Sequence, residues 1–112
     1  MVQKFHTGLA GKAGVSASLL AEILWKEVKE NEFYRRCQYG KETWVCLDWE
    51  KVLAALPYLT KREVKAGFSR LKREGVLIER VEKQEKCRRM VWCAFTEKGK
   101  KLMEESEDEI FG

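Results

Sequence analysis

Six lysines and arginines fall between Thr60 and Arg73, at positions 61, 62, 65, 70, 72 and 73, against one acid, Glu63, for a local net charge of +5. Cations at this density neutralise phosphate, and an arginine or lysine can address a guanine edge through two hydrogen bonds. Their spacing decides whether they act together. At about 100° per helical residue, Arg62, Ala66, Ser69 and Arg73 share one side, flanked by Lys65 and Arg70, while Val64, Phe68 and Leu71 share the other. The outcome is a cationic face with small residues where something must come close, a form suited to a DNA major groove.

The remaining reactive groups point away from catalysis. His6 is the single histidine, so there is no histidine metal cluster or Ser-His pair, and there is no glycine-rich phosphate loop. No enzyme activity and no cofactor are expected. Cys37 and Cys46 are nine apart and Cys87 and Cys93 six apart, wider than the two-to-four-residue gap of a structural zinc pair. Four reduced, mostly buried thiols are expected in preference to a metal site or disulfides.

The basic face needs a helix beneath it, and the local signals specify one. Thr60 and Glu63 form a capping box, Leu59 and Val64 a hydrophobic staple, and Gly75 a left-handed stop. Gly67 in the middle costs about 1 kcal/mol relative to Ala, which close packing of this helix would explain. Upstream, Asp48 caps a short helix over Trp49 to Leu56 that Pro57 ends. The link of only a few residues between the two helices gives the layout of a helix-turn-helix.

Around this pair the pattern supplies a scaffold. Thr7 to Ala13 reads as a short helix ended by Gly14, and Ser16 or Ser18 caps a longer one to about Asn31 carrying Leu20, Leu24 and Val28. Glu32 to Thr43 reads as a loop with a turn at Gly40, and Trp44 to Leu47 as a strand. Val76 to Val81 and Cys87 to Phe95 read as strands of a hairpin with a charged tip over Glu82 to Lys86. Thr96 then caps a last helix to about Ser106, and residues 107–112 read as a flexible acidic tail, the acids at 104, 105, 107, 108 and 109 giving a local charge of −5. Trp25, Trp44, Trp49 and Trp92 are read as packing residues, with stacking platforms for single-stranded bases as the alternative. Phe33, Tyr34 and Tyr39 are better candidates for a contact surface.

With 112 residues, 45% of them hydrophobic, the chain is long enough for one domain over residues 1–106 with a modest core. No apolar run approaches the roughly 18 residues that cross a bilayer, and Met1 to Phe5 lacks a signal-peptide core. A cytoplasmic protein without a membrane partner is expected.

This order of elements resembles the winged helix-turn-helix superfamily, an α+β, mainly helical fold with a small antiparallel sheet and a C-terminal helix. More specifically, Trp44-Val45, Leu56-Pro57-Tyr58-Leu59, the basic Lys61 to Glu74 and Gly75-Val76-Leu77-Ile78-Glu79 are similar to the N-terminal DNA-binding domains of phage and plasmid replisome organizers and replication initiators. Phe95-Thr96-Glu97-Lys98-Gly99 resembles the strand-to-helix exit of many winged-helix regulators. The resemblance implies a sequence-selective double-stranded DNA-binding protein of phage, prophage or plasmid type, acting in replication initiation or transcription regulation. It places Lys61, Arg62, Lys65 and Ser69 at the major groove, with Ala66 allowing approach or touching a thymine methyl. Arg70 and Arg73 would hold phosphates, and Lys83, Lys86, Arg88 and Arg89 of the wing would meet the backbone or minor groove. The alternative is a winged-helix protein-interaction module that binds no DNA. The scaffold and final helices are candidate homodimer surfaces, and a replication protein is a further candidate partner.

Overall fold

The computed structural model describes residues 14–83 and 89–111. Within them the chain forms α1 (Val15–Phe33), β1 (Gln38–Tyr39), β2 (Glu42–Thr43), β3 (Val45–Cys46), α2 (Trp49–Ala55), α3 (Lys61–Arg73), β4 (Leu77–Lys83), β5 (Arg89–Phe95) and α4 (Glu97–Phe111). The architecture is α+β and mainly helical, with small antiparallel sheets. None of these helices is long and apolar enough to cross a membrane. The helix expected over Thr7 to Ala13 lies outside the described residues.

The core is built on α1. Its Leu20, Leu24 and Val28, four apart, are buried together with Ala17, Ala21 and Trp25. The Trp25 ring meets Phe95 of β5 edge-on at 5.1 Å, while Val64, Phe68 and Leu71 of α3 and Met103 of α4 close the same cluster. One expectation fails at the start of α1. The helix begins at Val15, so Ser16 and Ser18 lie inside its first turn, and Gly14, at φ +86°, takes the cap position without a side-chain bond. The Ser18 hydroxyl is buried without a hydrogen-bond partner among the described residues.

A three-stranded antiparallel sheet in the order β3, β5, β4 packs against the helices. The long pair runs from Leu77 opposite Phe95 to Lys83 opposite Arg89. β4 therefore ends two residues closer to the tip than the expected Val81, because the charged residues Glu82 and Lys83 remain in the ladder, while the expected start of the second strand at Cys87 lies outside the described residues. β3 adds only Val45 opposite Cys93 and Cys46 opposite Trp92. The stretch read as a loop contains a second, minimal hairpin, with Gln38 opposite Thr43 and Tyr39 opposite Glu42. Gly40, at φ +66°, makes its turn, so the turn signal was placed correctly and the flanking pairing was not legible.

The exit from the sheet into α4 is fixed by Thr96. Its backbone N–H donates to Val76 O at 3.0 Å, its hydroxyl donates to Gly75 O, and the same hydroxyl accepts from Gly99 N–H at 3.0 Å, which caps the helix. Gly99 is needed there because a Cβ would stand 2.2 Å from Val76 O. α4 then continues to Phe111, past the expected end near Ser106 and through residues 107–111 of the acidic stretch. Sequence charge alone pointed to a tail, whereas the helical backbone carries on.

Candidate nucleic-acid interface

α3 follows its local signals closely. Glu63 N–H donates to Thr60 Oγ1 at 3.1 Å and Thr60 N–H donates to Glu63 Oε1 at 3.0 Å, the two halves of the capping box. The hydrogen bonds from the Thr60 backbone and side chain hold the Glu63 carboxyl below the usual carboxylate range. The one acid of the basic stretch is thus engaged at the helix start, where its charge also suits the helix dipole. At the other end Val76 N–H donates to Leu71 O at 2.9 Å and Gly75 N–H to Lys72 O at 3.1 Å. This is the Schellman arrangement, with Gly75 at φ +74°. Lys98 Nζ donates to the Glu74 carbonyl at 2.9 Å, placing a cation at the negative end of the helix.

The orientation of α3 comes from Gly67. A Cβ at that position would lie 2.9 Å from the backbone nitrogen of Ala17, so the absence of a side chain lets α3 seat against the backbone of α1. Val64, Phe68 and Leu71 are buried beside it. Phe68 also receives the Trp49 ring of α2 edge-on at 5.7 Å. With that face fixed, Arg62, Lys65, Ala66, Ser69, Arg70 and Arg73 are exposed along or beside the opposite side, and Lys61 is exposed in the first turn, above Val64 and Phe68. The first six are the residues that the helical periodicity puts on or beside the solvent side, and all six are exposed.

Individual side chains are not equivalent. Lys72, the sixth cation of the run, is half-buried; its Nζ pairs with Glu79 Oε1 of β4 at 3.1 Å and lies 4.8 Å from the Phe68 ring centre. It binds the helix end to the sheet and is spoken for within the molecule. Lys65 Nζ stands 5.8 Å from the centre of the Trp49 ring while remaining exposed. The Arg70 guanidinium reaches toward the start of α1, its Nη1 standing 3.0 Å from where a Cβ on Gly14 would be. In the link between α2 and α3, Tyr58 is 56% exposed. Sequence reasoning treated it as part of a turn; the signal for a contact role was an aromatic residue immediately after Pro57, beside the basic helix.

The hairpin contributes by backbone position. Lys83 and Arg89 face each other across its last described pair, whereas their side chains, and Lys86 and Arg88 entirely, lie outside the described residues. The thiols are distributed as a packing role requires only in part. Cys93 is buried and its thiol is pushed up to about 12 by burial, while Cys37 and Cys46 are half-buried and free. Cys87 and His6 lie outside the described residues. Comparison of the chain with protein-family models, curated protein sequences and solved structures found no match in any of the three.

Proposed function

We propose that the protein is a winged-helix DNA-binding protein that reads double-stranded DNA through the exposed face of α3, with the β4–β5 hairpin as the wing. The observation that carries this reading is the division of α3 itself. One side is seated on α1 through Gly67, Val64, Phe68 and Leu71, and the other presents four cations, Arg62, Lys65, Arg70 and Arg73, around Ala66 and Ser69. A major groove admits a helix whose outer face is basic and low in bulk, and a helix held by its buried face presents that surface without reorganising.

Lys61, Arg62, Lys65 and Ala66 in the first half of α3, with Ser69 just beyond them, meet base edges. Arg70 and Arg73 meet phosphates, and the wing residues Lys83, Lys86, Arg88 and Arg89 add contacts to the backbone or minor groove. The sequence resemblance to replisome organizers and replication initiators supports a role in replication initiation or transcription regulation of a phage, prophage or plasmid.

Selection from a random pool of short duplexes at two salt concentrations tests the reading. Enrichment of one motif, with affinity falling as salt rises, is the expected result, because phosphate neutralisation releases counterions. No retention at low salt would overturn it and favour a protein-interaction module.

A further inference from the structure

The sheet carries a second surface that the α3 reading does not use. Strand residues alternate between faces, so buried Cys93 turns toward the helices and its neighbour Trp92 turns to the other side. There Trp92, with Arg80 opposite it on β4, joins Tyr39, Trp44 and Glu82 around a pocket of about 220 Å³. This is below the size that holds a drug-sized ligand and suits a single planar group. The indole Nε1–H of Trp92 is buried with no hydrogen-bond partner among the described residues.

The lining narrows the chemistry. Aromatic walls favour a planar π system, Arg80 offers donors and Glu82 offers an acceptor. A nucleobase presents a π face together with both acceptors and donors on its edge. A cationic side chain would suit the aromatic walls and Glu82 but would be repelled by Arg80.

The stretch of chain around Tyr39 has the same character. Phe33 is 80%, Tyr34 61% and Tyr39 67% exposed, interleaved with exposed Arg35, Arg36 and Lys41. The Arg36 guanidinium stands 5.0 Å from the Tyr34 ring centre. Exposed aromatics alternating with cations are the general means of holding a single strand, since every base can stack and every phosphate can pair.

We infer that Tyr39, Trp44 and Trp92 receive one unpaired nucleobase of a single-stranded nucleic acid, whose backbone follows Arg80, Arg35 and Arg36. This site is separate from α3 and does not depend on duplex recognition by it.

The test is fluorescence anisotropy with a fluorescein-labelled single-stranded DNA decamer of mixed sequence, beside a decamer of the same length with abasic sugars throughout, at one salt concentration. The intact decamer should bind on the order of tenfold more tightly than the abasic one. Tyr39→Ala, at an exposed position where folding is not at stake, should remove most of that difference, and Trp92→Leu, which removes a ring from the lining, should reduce it. Arg62→Ala combined with Lys65→Ala should leave the difference intact, which separates this site from the α3 interface. Equal binding of the two decamers, no binding of either, or parental discrimination in Tyr39→Ala would overturn the inference and leave this face to a protein partner.

Discussion

Helix α3 and the segment from Tyr34 to Trp44 both present cations to solvent, and they are built in opposite ways. α3 is specified by its own residues: a capping box at Thr60 and Glu63, a Schellman stop at Gly75, and one glycine where a neighbour approaches. The Tyr34–Trp44 segment runs partly against its residues. Arg35 and Cys37 take left-handed φ values of 53° and 55°, a conformation that costs a residue with a Cβ about 1 kcal/mol or more. One bond across it, Trp44 N–H to Cys37 O at 2.8 Å, closes the segment, and it is held from outside by Asn31 Nδ2 donating to Trp44 O at 3.0 Å and Lys100 Nζ donating to Lys41 O at 3.1 Å. A surface whose shape is set locally is fit for a rigid groove, while one fastened by scattered bonds suits an adaptable strand.

That contrast can be broken most forcefully at Gly67. Replacing it with Val puts a branched Cβ into the backbone of Ala17 and forces α3 from α1, and a loss of about 3 kcal/mol in denaturant unfolding is expected. An unchanged midpoint would mean that the close seating of α3 does not control the fold. A smaller effect is expected at Gly75, where a Cβ has room, its nearest atom being Lys98 Cδ at 4.0 Å. Gly75→Ala should therefore cost only the left-handed backbone term, about 1 kcal/mol. Arg35→Gly should act with the opposite sign, stabilising by about 0.5 kcal/mol once the added freedom of the unfolded chain is subtracted. If both substitutions destabilise equally, the distinction between a locally matched helix and a locally mismatched segment fails.

The smallest effects are at the thiols. Burial raises the Cys93 thiol to about 12, above its ordinary value of 9.0. Its contribution to stability is complete below pH 9 and is lost as pH rises toward 12, because the unfolded chain gives up the proton first. In the native state at pH 8, alkylation should reach half-buried Cys37 well before Cys93, read by mass spectrometry of digested protein. Equal labelling rates would place Cys93 outside the core.

The same contrast explains what was legible in the sequence. α3 could be read because its cap, stop and apolar face lie within one stretch of 17 residues from Leu59 to Gly75, and the cap of α2 at Asp48 was readable for the same reason, accepting from Glu50 N–H at 3.1 Å. The β1–β2 hairpin was hidden because two-residue strands carry no alternation, leaving Gly40 as the sole local mark. The start of α1 was misread because serines that cap when they precede a helix are also tolerated within its first turn. The pocket was out of reach altogether: strand register joins Arg80 and Glu82 to Trp92, and Tyr39 and Trp44 reach them only through the tertiary fold. The four tryptophans look alike in sequence, yet Trp25 is buried in the core while Trp92 turns its ring to the opposite side of the sheet.

The central claim is that the exposed face of α3 reads duplex DNA. Titrating a labelled duplex selected by the protein with parent and with the Arg62→Ala, Lys65→Ala double variant, over a series of salt concentrations, tests it most directly. The account predicts an unchanged unfolding midpoint, since both residues are exposed, together with a loss of at least tenfold in affinity and a shallower salt dependence. Parental affinity and salt dependence in a folded double variant would contradict it.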